Sequence, residues 1–338
     1  MITVCKYEEL PVDILAVITD YANVFFQKIY VDFVRANGEE VYYCYNEDRI
    51  VTIRYRNKMI FKLGVMPSEP FEIKNAVKEE LSTYLDEVMY VIERKLGVQW
   101  INTTASALFM DTPTHKCKRI PFGSHVIDLD LDEEILWKNV HSKHRNVIRK
   151  AQKEGVTIEV GGENLLSDYV ELEQETSKRT GRNASGYNYY LKQIKSLQKN
   201  IKVYIAYYNG IPQAGGIFYV NRACCYYMYG ATKRDAVTGA ANFLLWSAIK
   251  KAKEIGVKEF SFVGCRINED PNSKYHGIQR FKERFGGELV VGYMFRYESK
   301  PYMYKLFCKA MQIRLHSKVV YKDPIDEEIY KWTNEQVN

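Results

Sequence analysis

The stretch KVYIAYYNGIPQAGGIFYVNRACCYYMY, residues 202–229, contains three runs rich in tyrosine and valine that are separated by two turn signals. The pairs Asn-Gly at 209–210 and Asn-Arg at 221–222 stand between the runs, which predicts an antiparallel meander of three strands. A helical pattern follows over 240–255, ends at Gly256 and leads into the apolar run VKEFSFVG. We therefore expect a mixed α/β unit in which a helix connects the meander to a fourth strand.

The same order of parts occurs earlier in the chain. EVYYCYNEDRIVTIRYRNKMIFKL, residues 40–63, reads as three strands with turns at 46–48 and 57–58. A helix is predicted over 74–96, ends at Gly97 and precedes the short strand VQWIN. This order matches that of the later stretch, element for element.

The spacing of the landmarks agrees with a repeat. Asn209 lies 163 residues after Asn46, and Gly256 lies 159 residues after Gly97. Two landmarks at nearly one separation predict a duplicated unit. The alternative is that any α/β chain supplies such matches by chance.

Composition and charge restrict the class of protein. The 338 residues are 46% hydrophobic and 27% charged, with a net charge of +6, which is typical of a globular protein that favours anionic partners. Seven cysteines form no CxxC pair, so we expect reduced thiols in a cytosolic protein. The N-terminal sequence does not resemble a signal peptide, and no run approaches the ~18 apolar residues of a membrane span.

A lysine follows the apolar pattern of a predicted helix in HGIQRFKERFGG, residues 276–287. Ile278, Phe281 and Phe285 share the spacing of one helix face, and Lys282 falls on that same face. A cation directed into a low-dielectric cleft could stabilise an oxyanion. Alternatively, the lysine stem packs beside the phenylalanines while the ammonium reaches water.

The most basic segment of the chain is KNVHSKHRNVIRKAQK, residues 138–153, with six lysines and arginines and no acid. Its apolar residues form a helical stripe, and Lys138, Arg145 and Arg149 lie on one flank beside that stripe. Such a flank can hold a phosphate at the rim of a cleft, or it can be a solvated face. A further basic cluster after the next predicted helix contains Arg179.

Four motifs carry a family resemblance: HSKHRNVIRKAQKEGV, ETSKRTG, TGAANFLLWSAIKKAKEIGV and GIQRFKERFGGELV. In this order they resemble the FemABX family of aminoacyltransferases, which builds peptidoglycan interpeptide bridges, and the resemblance covers nearly the whole chain. It implies an α/β (α+β) fold of two tandem GNAT-like domains, with mixed, mainly antiparallel sheets flanked by helices. We expect one domain at 1–129, completed by 299–338, and a second domain with the catalytic cleft at 130–298.

The resemblance also implies an activity and a set of site residues. An aminoacyl group would pass from aminoacyl-tRNA to an amine of a cell-wall or envelope precursor, with Lys282 at the reacting carbonyl. Arg145, Arg149 and Arg179 would hold the diphosphate of a nucleotide- or lipid-linked glycan, and Phe281 is a further substrate-binding candidate. No tightly bound cofactor and no DNA partner are expected. The protein would work in the cytoplasm, in one version at the inner face of the membrane.

Two other functions remain open. In GNAT enzymes the motif R/Q-x-x-G-x-G/A binds the coenzyme A pyrophosphate, and the matching loop here offers Arg234 and Gly239. Val237 occupies the place of the first glycine, so the motif is broken, which favours aminoacyl-tRNA as donor. An acetyl- or acyl-CoA-dependent N-acyltransferase acting on an amino sugar in polysaccharide biosynthesis is the alternative. The third function is a non-catalytic phosphoglycan-binding protein.

Several other features carry weaker predictions. Strand alternation places Tyr227 and Tyr229 on one face, where they line the cleft or pack in the core. No metal site is predicted, since His141 and His144 lack a third ligand at suitable spacing. No general base is evident, and PFGSH at 121–125 is predicted to form turns.

The segment 302–318 predicts a basic amphipathic helix. Such a helix can lie on an anionic membrane, or it can be a terminal helix that docks on the rest of the protein.

Overall fold

The computed structural model describes residues 1–74, 79–181, 183–267 and 274–314, the individual residues 323, 325–327 and 329, and no side chain at 274 or 275. Its strands are β1 (Thr3–Cys5), β2 (Glu40–Tyr45), β3 (Arg49–Lys58), β4 (Phe61–Met66), β5 (Phe71–Glu72), β6 (Trp100–Thr103), β7 (Cys117–Asp128), β8 (Thr157–Gly161), β9 (Ile201–Tyr208), β10 (Ile211–Val220), β11 (Cys224–Thr232), β12 (Glu259–Arg266) and β13 (Glu288–Glu298). Its α-helices are α1 (Val12–Tyr21), α2 (Lys28–Ala36), α3 (Leu81–Leu96), α4 (Glu133–Asn139), α5 (Ser142–Lys153), α6 (Leu166–Thr180), α7 (Tyr187–Leu197), α8 (Ala240–Glu254), α9 (Lys274–Glu283) and α10 (Pro301–Arg314).

The chain forms two compact units. The first comprises residues 1–19, 37–123 and 291–338, and the second comprises 20–36 and 124–290. The expected domains of 1–129 and 130–298 differ from these units chiefly at 20–36.

Residues 20–36 belong to the second unit because their aromatic side chains pack there. The ring of Phe25 lies 5.4 Å from that of Tyr226, and Asn221 donates its side-chain amide to the Ala22 carbonyl at 2.8 Å. Their sequence shows no sign of this partner, since only the folded chain brings them to β10 and β11.

In the first unit, the strand order is β1-β2-β3-β4-β6-β13, with β5 beside β3. The β2-β3-β4 meander is antiparallel, and β4 then pairs with β6 in parallel. Buried side chains of α3, among them Leu85, Val88 and Ile92, form the core with Ile53 and Ile101 of the sheet. The buried Ile325 also packs in this unit, in a cluster with strand residues of β7 and β13.

In the second unit, the strand order is β7-β12-β11-β10-β9-β8. The predicted order of meander, helix and fourth strand is present as β9, β10, β11, α8 and β12, and it repeats β2, β3, β4, α3 and β6. One face of this sheet packs against α5, α8 and the end of α9, around a core that includes Ile148, Leu244, Phe262 and Phe285. The other face packs against α6, where Tyr169 and Leu172 approach β10 closely.

Two predicted glycine positions end their helices as expected. Gly97 has a φ of 66° and donates its amide to the Glu93 carbonyl at 3.1 Å. Gly256 has a φ of 79° and bonds to the Lys253 carbonyl at 2.9 Å. Both positions need the left-handed conformation that glycine adopts without a steric penalty.

Several predicted boundaries are wrong. The helix predicted over 74–96 begins at Leu81, after an extended Glu80, and residues 75–78 lie outside the described part of the chain. The turns predicted at 121–125 belong instead to the long strand β7. The helix predicted over 302–318 is present as Pro301–Arg314, and its last predicted residues, 315–318, lie outside the described part of the chain.

Candidate active site

The second unit has an opening between two parallel strands. β11 and β12 pair from Cys224 and Glu259 to Tyr226 and Ser261. Both strands continue past these pairs, to Thr232 and Arg266 respectively, without further pairing to each other in the described chain. The matching strands of the first unit, β4 and β6, instead pair to their last residues.

The backbone of β12 is strained inside this opening. Val263 has a φ of 49°, a conformation that is rare for a β-branched residue and costs free energy of about 1–3 kcal/mol. The Val263 amide donates to Oγ of Ser261 at 3.2 Å, and Oγ of Ser124 donates to the Val263 carbonyl at 3.3 Å. The surrounding hydroxyl groups thus hold the strained peptide in place, as is common at functional sites.

Lys282 reaches this strained segment from α9. Its side chain is buried, with 8% of its surface exposed, and its Nζ donates to the carbonyls of Val263 at 3.3 Å and Gly264 at 3.0 Å. Burial lowers the pKa of the ammonium to about 8, because desolvation disfavours the charged form. The ammonium therefore does not reach solvent along a packed stem. It lies inside the protein, where a positive charge acts strongly on nearby atoms.

The predicted apolar face of α9 is only partly correct. Phe285 is 1% exposed, whereas Ile278 is 46% exposed. Phe281 is partly buried, and its ring lies 5.2 Å from the His144 ring of α5. The helix thus buries Lys282 near its C-terminal end, the buried Phe285 follows two residues after the helix, and Ile278 near its middle is exposed.

Arg145 and Arg149 lie on α5 rather than on one helix running from 138 to 153. The chain breaks between α4 and α5, where His141 caps the second helix by accepting the Lys143 amide at 3.1 Å. Arg145 donates to the carbonyls of Lys138 at 2.8 Å and of Val140, so it satisfies the end of α4. The predicted shared flank with Lys138 is therefore wrong, because the two arginines and this lysine are on different helices.

Arg149 makes a different contact. Its guanidinium carbon lies 5.3 Å from the ring centroid of Trp137, which is a cation–π distance.

Arg179 and Arg234 lie beside the loop that follows β11. Arg179 donates to the Thr232 carbonyl at 3.3 Å from the end of α6. The backbone amide of Arg234 donates to Oε1 of Glu175 at 2.5 Å, and Glu175 lies on α6, as Arg179 does. Both arginines are exposed at this corner of the second unit.

Several backbone amides of this loop are already bonded within the unit. The donors are Lys233, Arg234, Val237 and Ala240. Gln213 accepts two of these bonds, from Lys233 through its backbone carbonyl at 2.9 Å and from Val237 through Oε1 at 3.0 Å. A pyrophosphate cradle of the coenzyme A type would need such amides to point at the ligand.

Gly239, at the start of α8, has a packing role. Its φ is 87°, and a Cβ at this position would lie 2.2 Å from the carbonyl oxygen of Val147 on α5. Glycine at this position therefore allows α5 and α8 to pack closely.

Tyr227 and Tyr229 point to opposite faces of the sheet, so the predicted shared face is wrong. The register with β10 pairs Phe218 with Tyr227 and Ile217 with Tyr229, which leaves one extra residue, Met228, as a bulge. Tyr227 stacks on Phe218 at 5.1 Å, on the face that carries α8.

Tyr229 contacts the tyrosines of α7 on the other face of the sheet. Its hydroxyl lies 3.2 Å from that of Tyr189, and its ring lies 5.3 Å from that of Tyr190. Of the two predicted residues, only Tyr227 shares a face with Lys282.

A buried histidine was missed at the sequence level. His125 lies in β7, is 2% exposed, and belongs to the segment that was predicted to form turns. A signal was present, because His125, Ile127 and Leu129 alternate with Val126 and polar residues in the pattern of a strand. Pro113, Pro121 and Gly123 favoured a prediction of turns over one of a strand.

Cysteines and metals add little to the site. All seven cysteines are free, and six of them are buried. Within the described residues, no three His, Cys, Asp or Glu side chains are grouped as a metal site requires. In the same part of the chain, no helix has both the length and the apolar character needed to cross a bilayer.

Comparison with known structures defines the fold. The structure of FemX matches with a TM-score of 0.68 and 15% sequence identity, over 86% of this chain and 96% of that one. L-PGS from Bacillus licheniformis matches with a TM-score of 0.56 and 13% identity, over 88% and 96%. With the repeated topology described above, these matches confirm the predicted α/β fold of two GNAT-like units.

Comparison of sequences defines the family. The FemAB family model matches residues 114–210 and 207–311, which is more than half of the chain. The chain therefore belongs to the FemAB family.

One curated relative is similar over a shorter stretch. This protein, the lipid II:glycine glycyltransferase of Staphylococcus haemolyticus, is 32% identical over 82 residues. The matched stretch covers 24% of this chain and 20% of the relative's length.

Proposed function

We propose that this protein is an aminoacyltransferase that moves an aminoacyl group from aminoacyl-tRNA to an amine of a cell-wall or envelope precursor. The observation that carries the proposal is the buried ammonium of Lys282, which donates to two carbonyls of β12 beside the opening between β11 and β12. Membership of the FemAB family and the similarity to a lipid II:glycine glycyltransferase support it.

The chemistry needs a cation at this place. The precursor amine attacks the ester carbonyl of the donor, and the carbonyl oxygen becomes an oxyanion in a tetrahedral intermediate. An ammonium held in a low-dielectric site stabilises that charge as it develops. Because the ammonium is already in place, little reorganisation of the site is needed during the reaction. Because its pKa is about 8, Lys282 is still mainly protonated at neutral pH.

The acceptor would be a glycan precursor linked to a nucleotide or a lipid through a diphosphate. The relative's name specifies lipid II, which is such a precursor. Arg145 and Arg149 lie on α5, which packs on the same face of the sheet as Lys282, and each carries a guanidinium suited to phosphate. Such a substrate would bring the enzyme to the inner face of the membrane.

Coenzyme A is the less suitable donor. The loop from Lys233 to Ala240 already uses several of its amides on Gln213, Glu175 and its own carbonyl groups. Those amides would have to break their bonds to hold a pyrophosphate. This observation favours aminoacyl-tRNA over an acyl-CoA thioester.

The test is Lys282→Met, assayed for transfer from aminoacyl-tRNA to a diphosphate-linked precursor. We expect the variant to fold and its single-turnover rate to fall by about 10²–10³-fold, the usual effect of losing one oxyanion donor. Lys253→Met is the matched control, because Lys253 also donates its Nζ to a carbonyl, that of Leu129 at 3.0 Å. An unchanged rate in Lys282→Met would remove this lysine from the mechanism.

The same assay separates the other functions. Transfer from acetyl-CoA but not from charged tRNA would replace the aminoacyl donor with coenzyme A. Binding of the precursor without transfer from any donor would instead indicate a non-catalytic phosphoglycan-binding protein.

A further inference from the structure

His125 is a buried polar group whose ring nitrogens make no hydrogen bond of good geometry. It is 2% exposed, and neither Nδ1 nor Nε2 has such a partner among the described residues, although the Gly287 backbone lies near the ring. Buried polar atoms in folded proteins are nearly always bonded, so an unbonded imidazole calls for an explanation. One explanation is that its partner arrives with the substrate.

The imidazole lies on the Lys282 side of the sheet. Alternation along β7 places His125 on the same face as Ile127 and Leu129, which pack in the core with Phe285 at the end of α9. The neighbouring residue, Ser124, donates to the Val263 carbonyl, which also accepts from Lys282. Ser124 and Lys282 thus meet at the same strained peptide of β12, and His125 is the next residue along β7.

The electrostatic environment keeps this imidazole neutral. Burial lowers the pKa of His125 below its usual value of 6.5, and the Lys282 ammonium lowers it further. The Gly287 backbone and the Glu283 carboxylate act in the opposite direction, and the net effect is a lower pKa. A neutral imidazole can accept a proton at neutral pH, whereas an imidazolium cannot.

We propose that His125 is the proton acceptor of the reaction, and this inference rests on the proposed function. The precursor amine forms its bond to the carbonyl carbon of the donor ester, and the oxyanion forms beside Lys282. The ammonium nitrogen of the intermediate then gives one proton to His125. When the bond between carbon and ester oxygen breaks, His125 returns that proton to the leaving ribose hydroxyl, so the products are an amide and an uncharged tRNA terminus.

A second buried histidine provides the matched control. His144 is 5% exposed, and its Nδ1 also lacks a partner in the described chain. Its ring, however, lies against Phe281 and Phe285 at 5.2 and 4.7 Å. The charged groups that act on its pKa are Arg284 and His141 rather than Lys282, and we expect His144→Phe to leave the rate unchanged.

The experiment compares single-turnover transfer by wild type, His125→Gln and His144→Phe between pH 5.5 and 9. In wild type, we expect the rate to fall below the pKa of His125 and again above about 8, as Lys282 loses its proton. In His125→Gln, we expect a loss of about 10²-fold or more and no inflection at the pKa of His125, since glutamine accepts no proton at these pH values. The decrease caused by protonation of the precursor amine should remain in both proteins. Added imidazole should restore part of the rate in His125→Ala.

Three outcomes would overturn the proposal. A His125→Gln variant with the wild-type rate and pH profile overturns the role of His125 and leaves the proposed function standing. Wild-type protein that transfers no group from any donor overturns the proposed function and this role together.

The remaining outcome does not depend on activity or on a folded His125 variant. Imidazole NMR should show that His125 titrates below 6.5 and that Lys282→Met moves its midpoint upward. A midpoint that Lys282→Met leaves unchanged also overturns the proposal.

Discussion

A buried ammonium destabilises the folded state, and Lys282 carries this cost in the second unit. Its pKa falls from 10.5 to about 8, which corresponds to about 3 kcal/mol of unfavourable desolvation when the group is charged. The two carbonyls that accept hydrogen bonds from Lys282 Nζ offset part of a larger desolvation penalty. A residue kept in this state needs a reason other than stability.

Lys282→Met should therefore stabilise the protein while it inactivates the proposed reaction. The sign follows from the lowered pKa: the penalty is fully present below about pH 8 and disappears as pH rises toward 10.5. At pH 7 we expect the free energy of unfolding to rise by about 1–3 kcal/mol, because the desolvation penalty is removed while two carbonyls lose their donor. Urea unfolding at pH 7 and pH 10 measures both values.

Lys253→Met is again the control, and it should show no gain at pH 7. A stability gain for Lys282→Met that is equally large at pH 10 would contradict the assigned cause.

The elements follow sequence signals wherever local chemistry is sufficient. Asn46 and Asn221 both turn the chain by accepting the amides two and three residues ahead. This behaviour is an Asx turn, which an asparagine between two apolar runs predicts. Glycines 97 and 256 end their helices for an equally local reason.

Other element-scale features depend on partners distant in sequence. The pairing of β11 with β10 leaves Met228 as a bulge. Because of this extra residue, Tyr229 lies on the face opposite to the one that simple alternation from Tyr227 predicts. The break between α4 and α5 at His141 interrupts a stripe that looks continuous in sequence. Neither feature could be predicted, because each depends on contacts that alternation and helical period do not encode.

The contact between α5 and α8 gives a direct prediction. Gly239→Ala should destabilise the protein by about 2–5 kcal/mol, because the left-handed φ and the 2.2 Å approach to the Val147 carbonyl both oppose a side chain. Thermal and urea unfolding measure the loss.

Gly256→Ala is the matched comparison for this substitution. Its φ is 79°, but nothing lies within 4 Å of the added carbon, so we expect about 1 kcal/mol. Equal losses in the two variants would show that the close approach contributes nothing.

At the scale of the whole molecule, the same order of elements occurs in both units, but the parallel strands pair to their ends in only one of them. Both units carry a meander, a helix and a parallel fourth strand, and the sequence predicts this repeat. In the first unit, the parallel pair is closed to its end, whereas in the second it is not. The backbone of β12 also has a left-handed φ at Val263, just beyond the last pair, and the residue types of this strand do not predict it.

The C-terminal segment is fixed to the first unit by one buried arginine. Arg296 is fully buried and bonds to Glu298 at 2.7 Å, to Asp323 at 2.5 Å and to Asp326 at 2.6 Å. Its guanidinium also lies 3.9 Å from the ring centroid of Tyr304. These contacts join β13 and α10 to Asp323 and Asp326 within the first unit.

Arg296→Met should destabilise the protein by about 3–5 kcal/mol, because it leaves three carboxylates without their buried partner. Limited proteolysis should then cleave the C-terminal segment sooner, and thermal unfolding should begin at a lower temperature. Arg94→Met, at an exposed arginine beside Tyr90, should change the stability by less than about 0.5 kcal/mol. If both variants were equally stable, the buried cluster would not be holding the segment.

The lowered pKa of Lys282 has a consequence for chemical labelling. At pH 7.5 a far larger fraction of this side chain is neutral amine than in a lysine of ordinary pKa. An activated ester or sulfonyl fluoride small enough to enter the opening between β11 and β12 would therefore modify this amine before it modifies the exposed lysines. Mass spectrometry would find more adduct on the Lys282 peptide than on the peptides of exposed lysines, and a covalent inhibitor could be built on the same electrophile.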